Sequence, residues 1–310
     1  MNRDEKATEI IHSSEMRIEV YYPAGIPQIA FERLKREQEH LEKTDEATLD
    51  QLLSFREDSK TAYDAGKLLW TTGAAANTIF TFLLGCQQPN PLPAHEYCEA
   101  CGFFELGETA LGMDLPERKC PCCGVALRKD GFSLPEDFAW GKRNELHYEY
   151  RASDMIRQPL DDNSLVRPET YTIEKALRDP ALGIPNAELT VALWHEGDLT
   201  YQCLANYLLS AYASLSDENG EDLSLSACYT TLHQFGVFCR EDVFDLMLRL
   251  GAERKDALSV AERIRKGRYH SGYGERGTTD DLPECLKELA SSVRYLPSRG
   301  QAAAIQNRIC

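Results

Sequence analysis

Leu282, Cys285, Leu286, Leu289, Val293 and Leu296 recur three or four residues apart, the clearest apolar stripe in the chain. Such a stripe predicts a helix that buries one face. Weaker stripes predict helices over 240–250, from Val243, Leu246, Met247 and Leu250, and over 253–266, from Leu258, Ala261 and Ile264. Another, carrying Tyr201, Leu204, Leu208, Ala211 and Leu215, follows Asp198, a residue suited to accept a first-turn N–H. Nearer the N-terminus, Pro23, Gly25 and Pro27 break the chain before a charged helical run, Ala30 to Lys43. A helix is expected from Glu46 to Leu69, with Leu49, Leu52, Leu53 and Phe55 as its early apolar positions. A turn at Gly73 and a buried helix from Ala74 to Leu84 come next. Met16 to Tyr22 alternates weakly and reads as a short strand. Pro89, Pro91 and Pro93 form a rigid linker, and 136–185 has poor periodicity with one short helix expected at Tyr171 to Leu177.

Two features of composition change this picture. From Leu68 to His95 the chain carries no formal charge, a length that could span a bilayer. Thr71, Thr72, Asn77, Thr78 and Thr81 interrupt it, so a buried soluble helix is the expectation and no membrane partner is assigned. Against 34 Lys and Arg stand 50 Asp and Glu, a net charge of −16, with no domain-sized segment basic. Gripping nucleic acid by bulk charge is therefore excluded, since phosphate binding needs a local cationic excess. The N-terminus is charged and lacks the apolar core of a signal peptide, so a cytoplasmic, reducing location is expected. There the eleven cysteines read as metal ligands and not as a disulfide framework.

Cys98 and Cys101 form one CxxC pair, and after eighteen residues Cys120 and Cys123 form another. Each pair places two thiolates on one tight turn, and two such turns complete a four-sulfur site for zinc. Four thiolates leave no position for water, so one structural Zn²⁺ per chain is expected, with no catalytic part. Gly102 and Gly124 follow each second cysteine, where a chain turning over a metal needs conformational freedom. Cys122 and His95 stand close enough in sequence to substitute as ligands.

The runs NPLPAHEYCEAC, GMDLPERKCPCCG and RKDGFSLPEDF resemble the zinc-bearing segment of PolC-type DNA polymerase III alpha subunits. GIPQIAFERLKREQEHL upstream is similar to the start of that family's palm. Downstream, ALGIPN, CREDVFDLMLRLGAERKDALSVAERIRKG and LKELASSVRYLPSRGQAAA resemble its fingers and the helices beyond. The resemblance covers roughly 18–305, in the family's order.

The departures are chemical. Where the family's Gly-Ser-Arg-Gly-Ser loop holds the incoming triphosphate, this chain has Trp70, Thr71, Thr72, Gly73 and Ala74. Where the family has an Asp-x-Asp pair for two metal ions, it has Tyr148, Glu149 and Tyr150, or His147 and Glu149 one register earlier. A phenol cannot replace a metal-binding carboxylate at neutral pH. The family stretch after that pair shrinks to about thirty residues between Asp154 and Gly183. The Phe-Pro-Lys-x-His segment becomes Leu296, Pro297, Ser298, Arg299, Gly300 and Gln301, without its histidine.

The resemblance implies an α+β, mostly helical chain. Its expected parts are a truncated palm-like segment (1–95), a zinc ribbon (96–135), a shortened connection (136–185) and a helical fingers-like domain (186–310). It further implies a protein without nucleotidyl transfer that binds DNA or replication proteins. The enzyme alternative keeps polymerase or nucleotide-binding activity in a rebuilt site around Glu149, with His147 or Asp154. Arg263, Arg265, Lys266 and Arg268 form the one basic cluster, a candidate DNA contact or a solvated helix end. Gly272, Gly274 and Gly277 match a dinucleotide fingerprint by letters but follow a helix, so a loop is expected. His195 and Glu196 lack the second histidine of a zincin helix, and Trp194 reads as core.

Overall fold

The computed structural model describes residues 1–65, 67–72, 74–85, 89–140, 149–154, 177–196, 200–270 and 279–309. These are mostly helical, with three small antiparallel sheets. The chain divides into two compact units, Met1–Glu169 with Ala303–Cys310, and Thr170–Ala302.

The first unit opens with α1 (Arg3–Tyr21). Asn2 caps it: its side chain accepts the Glu5 N–H while the Glu5 carboxylate accepts the Asn2 N–H. Met16 to Tyr22 is therefore helix and not the expected strand. The core stripe of α1 is Ala7, Ile10, Ser14 and Ile18. Ser14 hides it from an apolar pattern, yet is tolerated because its hydroxyl donates to the Ile10 carbonyl at 2.8 Å. Helix α2 (Gln28–Leu41) lies where the charged run predicts. Helix α3 (Glu46–Asp64) ends earlier than Leu69, and the chain changes to β1 (Lys67–Thr72). A short apolar and β-branched run satisfies either period, and its pairing decides. The expected helix from Ala74 is split: a 3₁₀ turn (Ala75–Asn77) precedes α4 (Ile79–Leu84). Thr78 makes the break, with an extended backbone and a hydroxyl that accepts the Thr81 N–H at 3.0 Å. The turn expected at Gly73 lies outside the described residues.

Ile10, Ile18, Leu34, Leu41, Leu49, Leu52, Ile79, Phe80 and Leu83 close one buried core among the four helices. A buried ion pair sits inside it. The Arg33 guanidinium meets the Glu37 carboxylate at 2.5 Å and donates to the Asn77 and Leu134 carbonyls. Glu37 also accepts the Ile79 N–H and the Trp140 indole N–H, so both of its oxygens are satisfied. This pair joins α2 to the start of α4 and to the segment after the cysteine module.

That module is a three-stranded sheet, β2 (His95–Tyr97), β3 (Phe104–Leu106) and β4 (Arg128–Asp130), with β2 central. Beyond it, β5 (Glu149–Asp154) pairs antiparallel with β1, Thr71 opposite Tyr150 and Thr72 opposite Glu149.

In the second unit, α5 (Ala187–Glu196), α6 (Tyr201–Tyr212), α7 (Leu225–Phe235), α8 (Arg240–Arg249) and α9 (Arg254–Arg265) pack in sequence-adjacent pairs. Thr200 caps α6, its hydroxyl accepting the Cys203 N–H at 3.1 Å, whereas Asp198 lies outside the described residues. The strong stripe from Leu282 is only partly helix. Helix α10 (Glu284–Ser292) stops, and the chain becomes β7 (Val293–Tyr295), paired with β6 (Ser214–Leu215). Its leucines and Val293 stay buried, because Val293 and Leu296 face the core from extended backbone as well as from helix, while Cys285 is exposed. Helix α11 (Arg299–Ile309) follows. Of the short helix expected at Tyr171 to Leu177, only Leu177 lies within the described residues. Among the described residues no helix is long and apolar enough to cross a membrane.

Candidate metal centre

Two turns of the same shape build the site. In each, a glycine N–H donates to the carbonyl of the first cysteine at 2.9 Å, Gly102 to Cys98 and Gly124 to Cys120. Both glycines have positive φ, 76° and 77°, which a side chain would resist. The turns face each other. Cys98 Sγ lies 3.4 Å from Cys123 Sγ, Cys101 Sγ lies 3.5 Å from Cys120 Sγ, and all four sulfurs fall within 4.8 Å. A tetrahedral ion with bonds of about 2.3 Å separates its sulfurs by about 3.8 Å, so the cluster has the size of a four-thiolate site. The four are free thiols and not disulfides.

The local electrostatics favour one thiolate before any metal arrives. Burial alone would raise Cys120, but the backbone N–H groups of Cys122 and Cys123 and the neighbouring thiols bring it down to about 6. Cys101 moves oppositely. The Phe103 backbone favours its thiolate, yet its proton bridges to Cys120 and the thiol is pushed up to about 12. A thiol held by its deprotonated neighbour is a pair that a divalent cation replaces with release of protons.

Neither alternative ligand joins the cluster. Cys122 is exposed, and its contribution is the backbone N–H given to Cys120 Sγ at 3.4 Å. His95 is wholly buried and turned away: its Nδ1–H donates to the Pro93 carbonyl at 2.7 Å, leaving Nε2 to accept from Tyr22 at 3.2 Å. Burial holds its imidazole below the ordinary value, against the pull of Asp130, so it stays neutral.

The module also grips the end of α1. The Tyr97 hydroxyl, one residue before Cys98, accepts the Ala24 N–H at 2.8 Å and donates to the Gly25 carbonyl at 3.3 Å. The Arg128 guanidinium lies 4.1 Å from the Tyr21 ring centre and donates to the Tyr21 carbonyl at 2.8 Å. Its other nitrogen meets Glu99, inside the first cysteine turn, at 2.6 Å. Tyr21 in turn donates to the Asp130 carboxylate, which also accepts from Asn90 at 2.6 Å.

No protein-family model matches the chain. Among curated proteins it is similar to several called DNA polymerase III PolC-type. That of Thermotoga petrophila is 34% identical over 135 residues, covering 42% of this chain and 10% of the relative. That of Bacillus subtilis is 32% identical over 130 residues, 41% and 9%. That of Staphylococcus epidermidis is 30% identical over 135 residues, 43% and 9%. The resemblance to PolC-type polymerases is thus shown for some two-fifths of the chain. The matched stretches span about a tenth of the length of those PolC-type relatives.

Against the PolC pattern, β1 and β5 matter most. They carry part of what the resemblance sets against the triphosphate loop and the acid pair, and the strand register sets Trp70 opposite Arg151, Thr71 opposite Tyr150 and Thr72 opposite Glu149. Tyr148 and His147 lie outside the described residues, as do Gly272, Gly274 and Gly277 and the side chains of His195 and Glu196. Trp194 is buried, as its reading as core predicts.

The basic cluster sits at the end of α9 and is engaged internally. Arg265 and Lys266 both reach Glu262, at 3.2 Å each, and Arg240 reaches the same carboxylate at 2.7 Å. The Arg263 guanidinium lies 4.6 Å from the centre of the Tyr269 ring, and Arg268 is exposed. Burial would raise the Glu262 carboxyl, but Arg240, Arg265 and Lys266 together hold it below its ordinary value. Sequence reasoning missed this sink, although Glu262 stands three and four residues before Arg265 and Lys266, a spacing that favours such pairs. Arg299, in the segment that the resemblance sets against Phe-Pro-Lys-x-His, is likewise committed. Its guanidinium binds Asp242 at 2.9 Å and Asp245 at 2.8 Å, and its backbone N–H donates to Glu241.

Proposed function

We propose that this chain is a PolC-type polymerase relative in which a structural zinc ribbon and helical parts serve binding, without nucleotidyl transfer. The observation that carries the reading is the pairing of β1 with β5. At the places where the resemblance calls for a phosphate-neutralising arginine and a metal-binding acid pair, the chain has Thr72 and Tyr150, and Glu149 is the one carboxylate there. Two-metal transfer needs acids that reach both ions. Residues 1–95 are read as the truncated palm-like part, 96–135 as the zinc ribbon, 136–185 as the shortened connection and 186–310 as the fingers-like part.

Zinc is the proposed ion because four thiolates at this spacing suit it and leave no open coordination position. A replication protein is preferred over bare duplex as the partner. The net charge is −16, and Arg265 and Lys266 already share the carboxylate of Glu262. If DNA is bound, Arg263, Arg265, Lys266 and Arg268 are its contacts.

The test joins metal analysis to gel-shift titration on primed and single-stranded DNA across a salt series, with primer extension under Mg²⁺ or Mn²⁺. One zinc per chain, no extension and no salt-dependent shift support the protein-binding reading. A salt-dependent shift transfers it to DNA. Primer extension, or a nucleotide-dependent thermal shift with metal, overturns the loss of transfer.

A further inference from the structure

The attachment of α1 to the cysteine module is made by the very loops that hold the sulfurs. Tyr97 is adjacent to Cys98, Glu99 lies between Cys98 and Cys101, and Gly102 follows Cys101. A Cβ on Gly102 would meet the Ala24 carbonyl oxygen at 2.5 Å, so the first turn and the chain after α1 are in backbone contact. Arg128 completes the link from β4, bridging Glu99 to the Tyr21 carbonyl.

These loops have little of their own to keep them folded. The apolar cluster beneath the thiols is Cys98, Cys120 and Leu127, with Phe103 packed against it. A core that small does not order a segment of this length in water, whereas a structural ion does. When the ion leaves, the four thiols lose their common partner and the turns lose their geometry.

We infer that metal occupancy of the four-cysteine site controls the docking of the chain just after α1, Ala24 and Gly25. The loaded turns hold Tyr97, Glu99 and Arg128 in place, and these hold the helix end. The stripped turns release Ala24 and Gly25, while Tyr21 and Tyr22 stay packed on the helical core beside Ile18 and Phe82. The inference rests on the metal-binding part of the proposed function, and the test separates the two.

The direct reporter is the Ala24 amide, whose hydrogen is given to Tyr97. Hydrogen exchange is followed on the full chain as loaded, after stripping with a chelator, and after return of Zn²⁺ alone. Stripping should speed Ala24 exchange by about 100-fold, roughly tenfold each for the opening of the Tyr97 and Arg128 anchors, and Zn²⁺ should restore protection. Amides of Leu204 to Leu209 in α6 should change less than about threefold, since they belong to the second unit's own helical core and a local opening stays within its cooperative unit. Tyr97→Phe, which keeps the ring and all four cysteines, should hold metal at the parent level yet exchange Ala24 faster even when loaded. A loaded chain whose Ala24 exchange matches that of the stripped chain overturns this inference and leaves the metal site standing. A chain that takes up no metal overturns both.

Discussion

Glu262→Gln tests the electrostatics of the second unit and its partner choice with one change. The carboxylate serves three cations. Arg240, whose side chain is 8% exposed, approaches at 2.7 Å, while Arg265 and Lys266 approach at 3.2 Å from more exposed positions. Loss of the partly buried, charge-assisted bond to Arg240 costs about 2 kcal/mol, and the two outer pairs add only tenths. The cost stays below the roughly 3–5 kcal/mol of a stranded buried charge, because Arg240 keeps Glu241 at 3.0 Å. Hydrogen exchange of α9 amides should therefore accelerate about 30-fold in the variant, as 2 kcal/mol converts at roughly 1.4 kcal/mol per decade. The effect has a sign in pH. The native Glu262 carboxyl lies below its ordinary value, so its contribution is present above the usual carboxylate range and is lost as pH falls through the lowered value. Wild type and variant should converge in acid. The same change releases Arg265 and Lys266 towards solvent. If the α9 end contacts DNA, the variant should bind more tightly, with a salt slope steeper by about 0.9 for each additional phosphate neutralised. Equal exchange rates at neutral pH, or a difference that persists in acid, would refute the assignment of Glu262 as the shared anchor. Unchanged DNA binding would count against the cluster as a nucleic-acid contact.

Other expectations are as direct. Cys101→Ser should lower zinc from one per chain towards zero by elemental analysis and expose the remaining thiols to a thiol reagent. Glu37→Gln leaves the buried Arg33 only Glu136, at 3.3 Å, as a charged partner and gives the Ile79 and Trp140 N–H groups a weaker acceptor; urea titration should show a loss of about 2 kcal/mol. Asp45 accepts the Thr48 N–H at 2.7 Å at the start of α3, and that bond holds its carboxyl below the ordinary value. Asp45→Ala should cost about 1 kcal/mol at neutral pH and nothing once acid protonates the wild-type cap, read by urea unfolding at both pH values.

The cysteine site was legible because its chemistry is local. Two CxxC pairs and a glycine after each state the turn, the donor set and the closed coordination in a few residues, and the sulfurs meet as that spacing requires. Helices α2, α8 and α9 were legible for a similar reason, since their apolar positions repeat with the helical period. The readings that changed depend on partners far along the chain. Leu68 to Thr72 is strand because β5 pairs with it from some eighty residues away, and Val293 leaves its helix because β6 pairs with it from the same unit. Met16 to Tyr22 failed for a different cause: Met16 and Val20 are apolar but exposed on α1 while Ser14 takes a core position, so hydropathy alone saw alternation where burial has period 3.6. The charge networks were the least legible part. A basic hexapeptide looks available until its acid is located; Glu262 had only its helical spacing as a signal, and Asp242 and Asp245 are identified as acceptors of Arg299 by distance alone.

Those acceptors bear on the proposed loss of nucleotidyl transfer. A triphosphate or a DNA backbone must compete for each arginine with whatever carboxylate already holds it, and a partly buried ion pair in place yields only to a better anion. In this chain Arg265, Lys266 and Arg299 are each paired with acids of their own unit. Arg299 offers the clearest measure, because it stands in the segment that the resemblance sets against Phe-Pro-Lys-x-His and is held by both Asp242 and Asp245. Asp242→Asn with Asp245→Asn removes both acids while leaving their volumes. If those carboxylates suppress anion binding, the double variant should gain a triphosphate-dependent thermal shift that the parent lacks, diminishing as salt rises. A parent chain that already shifts with triphosphate, or a double variant that stays silent while folded by circular dichroism, would show that the loss lies elsewhere, in Thr71, Thr72 and Tyr150 on the paired strands.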